Sequence, residues 1–207
     1  GHAQFFYPKK YGYGELWLRM AEEIKGQIKY DASVHAIDFD TNTVTTKEGE
    51  TYSADVIIST IPWMEFAKIT GMPQELKEKI GHLKYSSVQY FPDNLDTEAQ
   101  WVYYPDPELS YHRILVRHNF CNGSKGYWTE CNSTRVDETT ESTFQYMNQY
   151  AYPLNTIGKP EIMKELLEWA KTRRVYGLGR WGEHQHYNSD LVVELALKMA
   201  EELNSAQ

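Results

Sequence analysis

The chain has 207 residues, 41% of them hydrophobic and 24% charged, an ordinary globular composition, long enough for one good core or a core and a smaller lobe. A formal charge of -8 at pH 7 excludes a nucleic-acid surface, which needs clustered excess Lys and Arg, so an anionic ligand has to meet a local basic site. There is no apolar run long enough to cross a membrane and no signal peptide, and Cys121 and Cys131 form neither a disulfide framework nor a zinc spacing, so the expectation is reduced thiols in a cytoplasmic protein.

The first residues, Gly1-His2 without an initiator Met, are what a cleaved expression tag would leave, which points to a piece of a longer protein. Gln4 to Lys10 is an extended aromatic lead-in to Tyr11-Gly12-Tyr13-Gly14. Leu16, Trp17, Met20, Ala21 and Ile24 then recur at helical spacing, and Gly26 closes the helix. Ile28 to Tyr30, Val34 to Phe39 and Thr43 to Lys47 read as short strands, with turns at Asp40-Thr41-Asn42 and Glu48-Gly49-Glu50. Ala54 to Thr60 is a continuous apolar strand of the kind buried on both faces, stopped by Pro62.

From Tyr85 the pattern changes to longer strands rich in Tyr, Trp and Val: Tyr85 to Phe91, Ala99 to Tyr104, Tyr111 to His118 and Tyr127 to Asn132. Polar turns between them predict an antiparallel sheet, a second lobe inserted into the first. Arg135 to Ser142 reads as a surface loop, and Phe144 to Tyr152 as a last strand. Pro160 opens a helix that buries Ile162, Leu166, Leu167, Trp169 and Ala170. A short strand, Arg173 to Tyr176, leads into Gly177-Leu178-Gly179-Arg180-Trp181-Gly182, and Asn188, Ser189 and Asp190 offer N-caps for the closing helix. The fold class is α+β.

Three constellations carry chemistry. Gly177, Gly179 and Gly182 match G-x-G-x-x-G, but a dinucleotide fingerprint needs a second strand and an acidic residue roughly 20 residues on, and the chain is nearly finished there. Alternation places Trp101 and Tyr103 on one face of their strand and Arg113, Leu115 and Arg117 on one face of the next. An arginine beside tyrosines is either a diphosphate clamp or a surface cross-strand pair. Arg180 either serves a cofactor or pairs with a carboxylate such as Glu183. His184 and His186 lack a third ligand of clear spacing, so no metal site is expected, and no Ser-His-Asp set or carboxylate pair stands out.

These segments together resemble the UDP-galactopyranose mutases, especially the eukaryotic-type branch. The resemblance rests on the glycine pair, helix, meander and buried Asp-Val-Ile-Ile-Ser-Thr strand, on Tyr103-Tyr104-Pro105 followed by Tyr111-His112-Arg113, on Tyr152-Pro153, and on Gly179-Arg180-Trp181-Gly182. Amine oxidases and protoporphyrinogen oxidases share the same scaffold. The resemblance implies part of a two-dinucleotide-binding-type FAD domain in residues 1–84 and 159–207, with an antiparallel substrate lobe in 85–158. It implies FAD held by Gly12, Gly14, Gly179, Arg180 and Gly182, and the diphosphate of a UDP-sugar held by Tyr103, Arg113, Tyr152, Lys10, His186 and Asn188.

The implied reaction interconverts UDP-galactopyranose and UDP-galactofuranose for cell-surface polysaccharide or LPS, with the covalent step carried by flavin rather than by a side chain. Lys10 stands where that family has an arginine and His186 where it has a tyrosine; two residues are missing before Asn188, and Arg135 to Ser142 replaces a helical segment. The βαβ unit that would carry the true glycine fingerprint is not in this sequence, so the chain alone is expected to turn nothing over and to hold no FAD. The rival readings are a flavin oxidoreductase of the amine-oxidase type and a nucleotide-sugar binding module without flavin chemistry.

Overall fold

The computed structural model describes residues 6–8, 10–93, 95–135 and 145–205. The sequence readings that fall on Gln4, Phe5, Lys9, residues 136–142 and Phe144 lie outside them. In chain order the elements are α1 (Gly12–Glu23), β1 (Val34–Asp38), β2 (Thr43–Thr46), β3 (Thr51–Ser53), β4 (Ile57–Ser59), β5 (Lys68–Thr70), α2 (Gln74–Ile80), β6 (Tyr85–Asp93), β7 (Trp101–Tyr103) and β8 (Tyr111–Val116). There follow the single turn α3 (Arg117–Phe120), β9 (Tyr127–Asn132), β10 (Tyr146–Pro153), α4 (Lys159–Lys171), β11 (Val175–Gly177), the single turn α5 (Gly179–Gly182) and α6 (Ser189–Ser205).

The chain divides into two compact units, one made of the described residues up to Tyr30 with Ser86–Ala151, the other of Asp31–Tyr85 with Tyr152–Gln207. In the sequence reading α1 sat with the meander that follows it; in the structure it clusters with the antiparallel sheet.

That sheet has five strands in the order β10-β6-β9-β8-β7. Phe91, Thr129, Cys131, Ile114 and Val116 are buried on one face. On the opposite face the register aligns Tyr90, Glu130, Arg113 and Tyr103 in one row across four strands, after an irregularity between Tyr111 and Arg113 sets the phase of β8. Two residues along each strand, Trp128, Leu115 and Trp101 form the next row. A run of rings continues from Trp101 to Phe120 (5.9 Å), Tyr7 (5.1 Å), Tyr13 (5.9 Å) and Trp17 (5.7 Å), which attaches the start of α1 to this unit. The helical spacing of Leu16, Trp17, Met20 and Ile24 does form a helix, but α1 buries none of its residues.

In the other unit β3, β2 and β1 form the meander, with β5 parallel to β1, and β11 pairs with β4 in a separate parallel pair. The core lies between this sheet and helices α2 and α4: Phe39 stacks on Trp63 and meets Trp169 edge-on, with Leu76, Leu166 and Val175 around them. Met163 and Lys159 join the buried side of α4, and neither stood out in the periodicity.

Two expected strands differ. Ile28 to Tyr30 is not a strand, because the chain makes a 3-10 turn at Lys25–Gln27 and enters the left-handed region at Asp31 (φ 55°). Ala54 to Thr60 is not one strand buried on both faces. Thr51–Ser53 is needed to complete the meander and Ile57–Ser59 belongs to the parallel pair, so the backbone breaks between them to change sheets, and Ile58 is 44% exposed.

Candidate functional site

The candidate residues fall into two groups, one in each unit. In the antiparallel sheet Tyr103 and Arg113 are direct cross-strand partners. Arg113 Nη1 donates to Tyr103 Oη at 3.3 Å, and its guanidinium lies over the Tyr103 ring, 5.6 Å from the centroid. The third partner is Glu130, which pattern reading missed. Its carboxylate is fully buried and accepts from Arg113 Nε (2.7 Å) and Nη2, and His112 Nε2 lies 3.7 Å from its other oxygen. A fork held through two nitrogens by a buried carboxylate is fixed in plane and direction. The only signal in sequence was a glutamate alternating with Trp128 in a strand of otherwise uncharged residues.

Lys10 and Gly12 precede or open α1 in the same unit. Lys10 is exposed, Gly12 has φ 78°, and a Cβ at Gly14 would meet nothing within 4 Å. The backbone there is open to a close ligand.

The second group is built on the turn after β11. Gly179 has φ 76°, which a side chain disfavours, and its N–H donates to Glu183 Oε2 at 2.9 Å. Burial pushes the Glu183 carboxyl up, opposed by this N–H. Gly177 and Gly182 are packing residues: a Cβ on Gly177 would lie 2.1 Å from Gly182 O, and one on Gly182 would lie 2.1 Å from Ser59 O. Trp63 Nε1 donates to Gly182 O at 2.7 Å, tying the turn to the core.

Arg180 Nε and Nη2 donate to Tyr187 O at 3.2 and 2.9 Å, and its guanidinium lies 5.5 Å from the centroid of Tyr152. The Tyr152 ring also meets His186 edge-on at 5.1 Å. The fold therefore brings Tyr152, Arg180 and His186 together. Asn188 is exposed and immediately precedes α6, its carbonyl accepting from Val192 N at 3.1 Å.

Lys159 and His184 complete this group and were not in the sequence reading as site residues. Lys159 is 4% exposed, and its Nζ donates to Asn155 Oδ1 (2.6 Å), His184 O (3.1 Å) and Gln185 Oε1 (3.2 Å). Burial lowers its pKa. A lysine at the start of a helix has the wrong sign for the helix dipole, and three acceptors meet it there. His184, buried and left-handed (φ 49°), directs Nε2 to Lys84 O at 3.0 Å, so Nε2 carries the proton, while Nδ1 has no hydrogen-bond partner among the described residues. Burial above all, with repulsion from Lys159, lowers its pKa. His186 is lowered too, first by desolvation and then by the cations Arg180 and Lys159, so it is neutral near pH 7. No cluster of three His, Cys, Asp or Glu fit for a metal occurs among the described residues.

The profile of the flavin containing amine oxidoreductases matches residues 2–168, and the chain belongs to that family. No curated protein sequence matches it. Among solved structures, reduced UDP-galactopyranose mutase matches with a TM-score of 0.71 at 23% identity, over 85% of this chain and 46% of that one. A CLA-producing fatty acid isomerase from P. acnes matches with a TM-score of 0.61 at 14% identity, over 88% of this chain and 52% of that one. A putative protoporphyrinogen oxidase from Exiguobacterium sp. 255-15 matches with a TM-score of 0.58 at 14% identity, over 93% of this chain and 51% of that one. These likenesses show a shared fold, of which the chain spans about half the length. No helix among the described residues is long and apolar enough to cross a membrane.

Proposed function

We propose that the chain is part of a flavin-dependent nucleotide-sugar isomerase of the UDP-galactopyranose mutase kind. The observation that carries this reading is the Tyr103–Arg113 pair buttressed by buried Glu130. A surface cross-strand pair has no need of a buried carboxylate behind it. With Nε and Nη2 held by Glu130, the guanidinium plane is fixed, and its remaining Nη hydrogens are the donors left for a diphosphate.

The residues present fit a flavin. Arg180 is fixed by Tyr187 O, and the open backbone at Gly12 and Gly14 allows close approach of a planar group, whereas Gly182 contributes at most its backbone because its α-carbon is packed on Ser59. Bound FAD would supply the covalent chemistry at the anomeric carbon of the sugar. The chain's own residues bind and orient. Arg113 and Tyr103 donate to the diphosphate and stabilise the charge that develops as the sugar–phosphate bond breaks. Lys10, in the same unit, is an exposed cation; in the other unit His186, neutral near pH 7, offers one ring N–H beside Tyr152, and Asn188 is exposed. Such an enzyme would work in the cytoplasm, supplying cell-surface polysaccharide.

Membership of the amine oxidoreductase family favours a second reading, an oxidoreductase with the same scaffold, for which Arg113 has no phosphate to hold. A binding module without flavin chemistry is the third. Titration of the chain with UDP separates the first from the second. We expect saturable binding that Arg113→Lys weakens roughly 10- to 100-fold, the loss of one bidentate charged contact. Absence of UDP binding, or binding indifferent to Arg113→Lys, overturns the mutase-like reading. Flavin content of the full-length protein, read from its visible absorption band, separates the third.

A further inference from the structure

At the end of the β4–β11 pair away from the Gly177–Arg180 turn lies a hollow of about 420 Å³, lined by Thr41, Asn42, Ser53, Ala54, Asp55 and Arg174. Ile57 and Val175 open the two parallel strands side by side, so the link that leaves β3 and the turn that ends α4 meet at one rim. Ile57 N donates to Arg174 O and Ala54 N to Asn42 O, both at 3.1 Å, which fixes the backbone of that rim. Asn42 (φ 48°) and Arg174 (φ 58°) hold the left-handed conformation. Helices commonly end on a glycine in that conformation, but the residue here is an arginine. Its neighbour Arg173 is engaged, 3.6 Å from Asp40 Oδ1 and over the Trp169 ring. Arg174 and Asp55 differ from it. Both are exposed, and neither side chain has a hydrogen bond or ion pair among the described residues, with the other or with any third group. Asn42 Oδ1 is buried and has no hydrogen-bond partner among the described residues.

We propose that this hollow binds a free α-amino acid, a ligand whose ammonium and carboxylate are joined to one carbon. The lining matches it by charge and by hydrogen-bond type. Arg174 presents the planar fork that takes a carboxylate through two N–H groups. Asp55 and Asn42 Oδ1 are the acceptors that an ammonium, with three N–H groups and no lone pair, requires. The Thr41 and Ser53 hydroxyls donate or accept, so they suit a short polar side chain. An inorganic phosphate would gain Arg174 but face the like charge of Asp55, with Asp40 in the adjoining turn. A divalent cation would face Arg174, and no cluster of three His, Cys, Asp or Glu stands here among the described residues. A neutral sugar would leave both charges without a partner. Nucleotides and dinucleotides sit beyond the carboxyl ends of parallel strands, where the Gly177–Arg180 turn lies, whereas this hollow is at the amino ends. An amino acid bound here is therefore independent of whatever Arg113 and Arg180 hold.

The test is calorimetric titration with L-serine, L-asparagine and L-leucine, and with acetate, methylammonium and inorganic phosphate, which carry one sign of charge only. The unaltered chain is compared with Arg174→Gln and Asp55→Asn, with circular dichroism as the check of folding. Both residues are exposed and neither pairs with another side chain, so the variants should fold; each tests the site alone, and one that failed to fold would leave the other decisive. The expected result is saturable binding of L-serine or L-asparagine, tighter than that of any single-charge ligand and of L-leucine. Either substitution should weaken it roughly 10- to 100-fold, the loss of one charge-assisted contact. Absence of saturable binding by all three amino acids overturns the site. Acetate or phosphate binding as tightly as L-serine, and losing affinity in Arg174→Gln alone, makes the hollow an anion site and overturns the amino acid. Binding that survives both substitutions, or that is lost in Arg180→Gln instead, puts the amino acid elsewhere and overturns the proposal as well.

Discussion

His186 and His184 sit two residues apart and are both held neutral, for different reasons and with different consequences. His186 loses its proton to desolvation and to the nearby Arg180 and Lys159 charges. A diphosphate placed beside it reverses that balance, so ligand binding should take up a proton and affinity should rise as the pH falls from about 8 toward 6. UDP-galactose suits the measurement because its diphosphate diester does not titrate near neutrality. His186→Asn should flatten the profile, and a slope that survives this substitution would remove His186 from the ligand's surroundings. His184 instead reports on folding. Its pKa in the folded chain is below the ordinary value, because burial disfavours imidazolium, so the unfolded chain binds more protons between the two values. Its contribution to stability is complete above about pH 6.5 and is lost as the pH falls through the lower folded value. Urea unfolding at about pH 7.5 and pH 5 should show this loss, and His184→Gln should reduce the difference even if it lowers stability overall.

At the scale of elements, the two glycine segments behave in opposite ways, and substitution should show it. Gly177→Ala drives a methyl group into Gly182 O, which is backbone and cannot move aside, so we expect a loss of about 3 kcal/mol in denaturant unfolding. Gly14→Ala meets open space within α1 and should add about 0.5–1 kcal/mol here, while weakening flavin uptake in the full-length protein. Unchanged flavin affinity in Gly14→Ala would take that glycine out of the cofactor cradle. Both segments were visible in the sequence as glycine-rich turns, but their roles were not, because the difference lies in which backbone crosses each turn. The same limit applies elsewhere. Strand β9 was legible to the residue, and α4 nearly so, since alternation and helical spacing are local properties. Glu130 and Lys159 were not, because a buried charge is recognised by partners far along the chain, Arg113 for one and Gln185 for the other. The strand through Ala54 to Thr60 was overread for a related reason. Its pattern reads as one strand, but the meander ends at Ser53 and only Ile57–Ser59 of the run joins a sheet.

For the whole molecule, charge sets how the exposed apolar surface behaves. Neither α1 nor α6 buries any residue, and Leu18 on α1 and Leu197 on α6 are 67% and 62% exposed. Apolar helix faces of this kind attract one another in solution unless repulsion keeps the chains apart. At pH 7 the formal charge of -8 supplies that repulsion, and it depends on seven histidines remaining neutral. Histidine is the side chain type that gains charge between about pH 8 and about pH 5.5, and burial holds His184 and His186 back, so the net charge shrinks before the carboxylates titrate. Sedimentation velocity should therefore show a single slow species at about pH 8 and low salt, and growing self-association at about pH 5.5. Salt at pH 8 should act in the same direction, because screening shortens the repulsion to within about 10 Å. Leu18→Glu adds a charge to the α1 face and removes one of its apolar contacts, so it should lower association under both conditions. If the sedimentation coefficient stays constant from pH 8 to 5.5, or if Leu18→Glu associates as strongly as the unaltered chain, the α1 face is not what brings the molecules together.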